Sequence, residues 1–585
     1  MRRITVLIFF CFCLLTACKN TNSDSGAGKK TEISNASVAG ALTAFFHKQK
    51  TGASDSELPA CIDRDTLVAA SEVYRIYSLF KFQPIWTDMG RLNPLGDSLY
   101  RLIKGCSNSG LIPRDYYLGE LDSLFRTSEK RNTPFWAFSR REDFMKKEGR
   151  ILGGGEVSSV LRVELLMTDG LFKLAVHLNQ GRLDQDSLRS VWKIKQVGGD
   201  LVSILGYAIR QNKLEASLDS LEPHSDQYRL LKDALNKFRT EFEKSEWDSL
   251  PPIEKDTVTF YKLLAGRLQS SHFLDSVSTE KIIDKILQRS DKALIPELEK
   301  MLAPGLKKFQ LQHGLNDDGK TGKFTYAALN VSKQEQIRAL EMNMERWRWE
   351  SNPGKRYLWV NIPSFQLKVL NDDTVYTEAK VITGNPTHPS PVLKSLITYF
   401  IIYPYWNVPY KIASEEILPR IKWDTAYLRL NHFDVLDWNN KVTDPSAINW
   451  SKYNKTNLPY KFRQQDGEDN SLGVIKFMFS NPFGVYLHDT NSKRLFGKEV
   501  RALSHGCIRM QNPWVLADFL IKEDKHLTTD SLFTYYEKEE RKTIALRKPL
   551  PVYIRYFTCE VEAKDKLYFY TDIYGKDQQM IRAIY

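Results

Sequence analysis

The spacing of apolar and polar positions divides the chain into a helical half and a strand-rich half. From about residue 55 to 285, apolar groups recur every three to four positions, as on one face of a helix. Ser71–Phe80, Val163–Leu178, Leu201–Ile209 and Tyr228–Phe242 carry that pattern most clearly. Gly305–Leu315 reads as a short amphipathic helix stopped at Gly314, Asn316–Gly322 as a turn, and Phe324–Asn330 as a second helix. Ser332–Trp349 continues as a linker helix with Ile337, Leu340, Met344 and Trp347 on one face. From Arg356 the period shortens to two. Tyr357–Ile362 and Phe365–Leu370 flank Pro363-Ser364 and predict a hairpin, and Val375–Ile382 and Ser395–Ile402 extend the sheet. Residues 410–465 interrupt the alternation. It resumes in Leu472–Ser480, turns at Asn481–Gly484 and runs on through Val485–Thr490, where Tyr486 and His488 fall on the same face. Asn512 and Pro513 suit the N-cap and first position of a helix over Trp514–Leu520. Leu550–Tyr574 reads as further strands, with Cys559 in the core. The fold class is therefore multidomain α+β.

Composition places this chain among folded proteins: 42% of its 585 residues are hydrophobic and 26% charged. The net charge of +12 comes from 83 basic and 71 acidic residues spread along the chain. Such a spread suits an anionic polymer or membrane surface and gives no footprint for nucleic acid. Met1-Arg2-Arg3 precedes an apolar run from Ile4 to Leu15. That run is short of the roughly 20 residues a membrane span needs, and reads as a secretion signal. It ends Leu15-Thr16-Ala17-Cys18, which resembles the lipobox of bacterial lipoproteins, so Cys18 is the expected site of lipidation. Asn20–Lys30 is rich in Ser, Gly, Asn and Lys and reads as a flexible tether. Export would permit a Cys61–Cys106 disulfide, but spacing alone does not decide it. No cysteine pair has the CxxC spacing of a zinc or redox motif, and the chemistry below needs neither metal nor soluble cofactor.

That chemistry centres on Ser504-His505-Gly506-Cys507-Ile508-Arg509. A free cysteine is a few per cent thiolate at neutral pH, and an imidazole that takes its proton makes it a nucleophile. His488 and His505 are both candidates. A residue two positions from the thiol often points away from it, so a base from a separate strand fits better. Gly506 lets a substrate carbonyl come close to the backbone, whose N–H groups could hold an oxyanion. The residues alone suggest a Cys–His acyl transferase or protease, with an inert buried cysteine as the bland alternative. His177 in the helical half suggests no chemistry beyond a structural histidine.

His488, the fifteen residues 489–503 and then Ser504-His505-Gly506-Cys507 resemble the signature of the L,D-transpeptidase catalytic domain, the YkuD fold. Ile382–Pro391, Pro404–Pro409, Arg463-Gln464-Gln465, Asn470–Gly473 and Tyr486–Thr490 agree with it. The Asp-Gly-x-x-Gly turn between two helices, at Asp318–Gly322, resembles a small peptidoglycan-binding module. The order of units is similar to the large YcbB-type murein L,D-transpeptidases. After the signal peptide over 1–18 and the tether over 19–54, this resemblance implies a helical scaffold domain over 55–285. A peptidoglycan-binding module over 286–332 and a linker helix over 333–355 would follow. The mainly-β catalytic domain would occupy 356–535, with a lid inserted at 410–465, and strands over 536–585 would pack on it. It also implies that Cys507 is the nucleophile, His488 the base, and the carbonyl of Asp489 the group that orients the imidazole. His505, Gly506 and Cys507 would shape the oxyanion hole, and Arg509, Tyr486 and Ser504 would meet substrate. The implied product is a 3→3 cross-link between peptidoglycan stem peptides, made by a monomer held in the cell envelope, in the periplasm, by a lipid anchor. Rival products of the same chemistry are hydrolysis of the stem, as in an L,D-carboxypeptidase, and attachment of a protein to the wall. A non-enzymatic wall-binding lipoprotein is the remaining alternative.

Overall fold

The computed structural model describes residues 33–50, 61–62, 65–126, 157–183, 200–242, 247, 249–252, 257–288, 292–372, 374–525, 527–562 and 566–585. The signal sequence and Cys18 lie outside them, as does half of the tether expected over 19–54. Residues 35–50 do not behave as a tether. They form helix α1 (Asn35–Lys50), and Val38, Leu42 and Phe46 spaced four apart are buried in the core of the helical half. Among the described residues no helix is long and apolar enough to cross a membrane.

Helix α2 (Val157–Gln180) is the axis of that half, buried along most of its length. Its buried Glu164 is satisfied inside: the carboxylate accepts hydrogen bonds from the backbone of Ile85, Trp86 and Thr87 and from the Tyr77 and Thr87 hydroxyls. His177 meets the Tyr116 hydroxyl at 2.9 Å, a structural contact. Cys106 is buried with a free thiol. Helix α3 (Asp226–Phe242) turns Tyr228, Leu231 and Leu235 into the same buried cluster as the strand-rich half.

Helices α4 (Thr257–Ser270), α5 (Ile295–Gln312) and α6 (Lys323–Leu329) share a smaller core. Gln310 ties the Asp-Gly turn to both flanking helices. Its Nε2 donates to Asp318, the Lys320 carbonyl and Thr325, and its Oε1 accepts from Gly319 N–H. Helix α7 (Lys333–Trp349) starts at a Ser332–Glu335 capping box and is buried nearly all round, where the sequence reads a linker with one apolar face. The difference lies in its ion pairs. Arg346 pairs with Asp577 at 2.6 Å, and Arg348 with Glu345 at 3.0 Å and with the Tyr228 hydroxyl at 3.0 Å. A buried charge is tolerated only when so matched.

The second half is a nine-stranded sheet. Its strands are β1 (Arg356–Asn361), β2 (Gln366–Asn371), β3 (Thr374–Gly384), β4 (Leu393–Ile402), β5 (Ile475–Phe479), β6 (Leu487–His488), β7 (Ala502–Ser504), β8 (Ile508–Met510) and β9 (Lys542–Arg555). They run in the order β7-β3-β8-β6-β5-β4-β9-β1-β2, and a further β2–β3 pairing closes the ring. Pairs β6–β8, β3–β7 and β1–β9 are parallel. The sequence sets 536–585 outside the catalytic unit as strands packed on it. The structure instead builds β9 into the sheet between β4 and β1, so the barrel does not close without it. A hairpin of β10 (Cys559–Glu562) and β11 (Lys566–Phe569) follows, with Cys559 fully buried.

Helix α8 (Pro513–Asp524) begins at Pro513 as its sequence suggests, but Asn512 adopts the left-handed conformation and its side chain makes no cap hydrogen bond. The insertion at 410–465 has a core of its own around Ile417, Leu418, Ile421, Leu428, Trp450 and Phe462. Its small sheet joins Phe433–Leu436 and Lys461–Gln464 to Trp406–Asn407 at the end of β4.

Candidate active site

The parallel register of β6 and β8 builds the site. Leu487 lies opposite Ile508 and His488 opposite Arg509, so Tyr486 stands beside Cys507. Leu487 and Ile508 are fully buried on the core side. Alternation then puts Tyr486, His488, Cys507 and Arg509 together on the other face. All four line one cavity of about 300 Å³ with Ser504 and His505. The sequence places Cys507 in a turn just ahead of a helix; in the structure the turn delivers it to the start of β8, and the helix comes after that strand.

The turn itself is braced from two sides. Ser504 Oγ donates to the Cys507 carbonyl at 2.5 Å and accepts from Gly506 N–H at 3.1 Å. Ser390 Oγ donates to the Gly506 carbonyl at 2.7 Å and accepts from Gly384 N–H at 2.9 Å. Gly506 has φ +111°, where a side chain would be strained. Ser504 is thus occupied with backbone, and the Gly506 N–H is engaged in this arrangement. His505 points to the insertion, its Nε2 2.6 Å from Glu416. Nearby, Lys411 Nζ meets His388 Nε2 at 2.8 Å. Trp406, Ile412, Glu416, Arg420 and Phe433 complete the cavity from the insertion's side.

Burial pushes the Cys507 thiol above its ordinary range, while hydrogen bonds from Tyr486 and the positive charges of Lys476 and Arg509 oppose it. Burial also depresses the His488 imidazole to about 3, with the Arg509 charge adding to the effect and the backbone of Asp489 and Leu472 opposing it. The resting pair is therefore thiol and neutral imidazole, rather than a standing ion pair. Nδ1 of His488 makes no hydrogen bond among the described residues, so the Asp489 carbonyl acts on the ring without a well-formed bond to it. The Asp489 carboxylate instead accepts from Val474 N–H and pairs with Lys493.

Lys476 is a site residue that the sequence does not single out. It sits on β5 directly opposite His488, and its Nζ lies 3.8 Å from the centre of the Tyr486 ring. Its position in the alternation of Leu472–Ser480 marks it as facing away from the barrel core. Ser390 is equally unmarked, inside a stretch that shows only similarity.

Residues 355–527 match the profile of the L,D-transpeptidase catalytic domain. This part of the chain is an L,D-transpeptidase catalytic domain. Residues 71–235 match the scaffold domain profile. A curated Haemophilus influenzae protein, provisionally assigned as an L,D-transpeptidase, is 33% identical over 253 residues. That match covers 43% of this chain and 50% of the relative, so the chain spans about half the length of the curated relative it matches. Among solved structures, an L,D-transpeptidase from Mycobacterium smegmatis is 14% identical, with TM-score 0.15, over 34% of this chain and 58% of its own. One from Stackebrandtia nassauensis is also 14% identical, with TM-score 0.17, over 44% and 78%. At those scores the solved structures add nothing to the assignment, which rests on the profile and the curated relative. The transpeptidase domain thus includes the cavity and all the site residues named above.

Proposed function

We propose that this chain is a peptidoglycan L,D-transpeptidase that joins two stem peptides by a 3→3 cross-link through a thioester at Cys507. The observation that carries the reading is the one cavity shared by Cys507, His488, Tyr486 and Arg509 within the transpeptidase domain. Cys507 Sγ attacks the carbonyl of the third residue of a donor stem as its proton passes to His488. The C–S bond forms, the bond to the terminal D-alanine breaks, and the proton leaves with that amine. The side-chain amine of a diamino acid on an acceptor stem then attacks the thioester and gives its proton to His488. The new amide forms, the C–S bond breaks, and the thiol is restored.

The neutral imidazole suits this cycle, because a base already protonated could not accept the thiol's proton. Arg509 Nε is buried without an acceptor among the described residues, which suits a substrate carboxylate at that point. The Cys507 N–H, and the Gly506 N–H if Ser504 releases it, would serve the tetrahedral oxyanion. The insertion at 410–465 would act as a lid that shuts out water, favouring an amine acceptor over hydrolysis. In this reading Cys18 is lipidated, the chain works in the periplasm on a membrane anchor, and residues 286–332 orient glycan.

The test is to incubate the full chain with defined tetrapeptide muropeptides and to read protein and product masses. A thioester adduct and a cross-linked dimer are expected, together with covalent addition of a carbapenem at Cys507. Cys507→Ala should give neither adduct, with an unchanged circular dichroism spectrum. Cross-linking by Cys507→Ala would overturn the reading. Tripeptide without dimer would make the enzyme an L,D-carboxypeptidase.

A further inference from the structure

A second cavity, of about 520 Å³, opens where α3, α4, α5 and the hairpin β10–β11 meet. It is larger than the active-site cavity and within the range of small-ligand sites. Aromatic rings dominate its walls: Phe238, Trp247, Phe273 and Phe569 are each half-buried there. His313 stands among them, stacked on Phe309 with centroids 3.8 Å apart and nearly parallel to Phe569 at 6.0 Å.

The His313 ring has a fixed tautomer. Its Nδ1 lies 2.8 Å from the Phe309 carbonyl, an acceptor, so Nδ1 carries the proton and Nε2 keeps a lone pair. Nε2 is buried and meets no donor among the described residues. A buried acceptor without a partner costs free energy that a ligand's O–H or N–H would recover. Around the mouth, Lys237, Lys308 and Lys566 are exposed, with Asp233 and Glu241 beside them on α3.

Flat aromatic faces, one acceptor awaiting a donor and a cationic rim describe a particular ligand chemistry. A sugar ring offers apolar C–H faces to stack on aromatic rings, and hydroxyl or amide N–H donors at its edge. Three lysines favour a sugar that also bears a carboxylate. We propose that this cavity binds an acidic sugar unit, its face against Phe273 and Phe569, a donor on His313 Nε2 and its carboxylate toward the lysines. That the sugar belongs to the polymer whose stem peptides reach Cys507 rests on the transpeptidase reading. The cavity would then hold a glycan strand at the joint between the scaffold, the small helical unit and the transpeptidase domain.

The test is calorimetric titration of the full chain, alkylated at Cys507, with the peptide-free N-acetylglucosaminyl-N-acetylmuramic acid disaccharide. The neutral N-acetylglucosamine dimer is the control. The acidic disaccharide should bind about fivefold more tightly than the neutral one, the scale of a single solvent-exposed ion pair. Lys308→Ala with Lys566→Ala should erase that preference, and both residues are exposed, so the fold is not at stake. His313→Phe keeps the stack but removes the acceptor, and should weaken both sugars about fivefold. No saturable binding to the native chain, or binding that neither variant alters, overturns the proposal. Disaccharide binding by a chain that forms no thioester with stem peptides would sink the transpeptidase reading and leave the sugar site standing. A thioester without disaccharide binding would do the reverse.

Discussion

At the scale of single residues, the site sets a thiol against its own burial. Desolvation raises Cys507, and the cations Lys476 and Arg509 with the donors of Tyr486 bring it part of the way back. The rate of Cys507 alkylation by iodoacetamide should therefore keep climbing with pH past the ordinary thiol value of about 8.5. Lys476→Met removes a cation that stabilises the thiolate, so its profile should move further up in pH. A native profile already flat below pH 8 would contradict this electrostatic account. A second residue-scale test concerns Gly473, which has φ +60° and whose added Cβ would lie 2.4 Å from the Asp489 carboxylate. Gly473→Ala should lower stability by about 1–3 kcal/mol in chemical denaturation and slow acylation, since Asp489 adjoins His488, the proposed base. Equal stability would mean that the loop yields at no cost.

At the scale of elements, the insertion and the loops around Cys507 hold each other. Glu416 meets His505 and Lys411 meets His388, so two contacts tie the insertion to the loops around Cys507. Both pairs are partly exposed and worth little in stability. A weak clasp suits the proposed lid, which would open for substrate. Replacing most of 410–465 by a short linker should raise hydrolysis relative to cross-linking, read as the ratio of tripeptide to dimer by mass spectrometry. An unchanged ratio would leave the insertion without a role in excluding water. Within the barrel, β9 is more than an appendage. It pairs with both β4 and β1, so a chain cut before residue 542 loses the closure of the sheet that carries the site.

For the whole molecule, three histidines among the described residues are held neutral in three separate places, His313 and His488 buried and His177 half-buried. Burial depresses His177 to about 3, His313 to about 4 and His488 to about 3. In the unfolded chain each titrates near 6.5. Between pH 6.5 and about 3–4 the unfolded state binds more protons, so each histidine erodes stability as pH falls, by up to about 1.4 kcal/mol per pH unit. Melting temperature should drop between pH 7 and pH 4.5. His177→Gln, whose unfolded state cannot gain that proton, should show a shallower drop. Parallel pH profiles for native chain and variant would show that His177 is not held neutral.

The sequence by itself determined what is local. Alternation put Tyr486 and His488 on one face, helical spacing marked the scaffold, and Gly314 and Pro513 marked a helix end and a helix start. Ser504–Arg509 marked a candidate nucleophile at Cys507. Tertiary structure decided what depends on a partner far along the chain. Lys476 joins the site only because β5 pairs with β6 in a register that sets it opposite His488. The C-terminal part of α7 is buried all round because Arg346 finds Asp577 more than two hundred residues later. α1 leaves the expected tether because Val38, Leu42 and Phe46 fit a core built by other helices. β9 is central because the ring needs it, and nothing in a strand's own pattern tells an edge from a middle. Side-chain period is a property of the strand or helix alone, whereas pairing, register and charge compensation are properties of the closed fold.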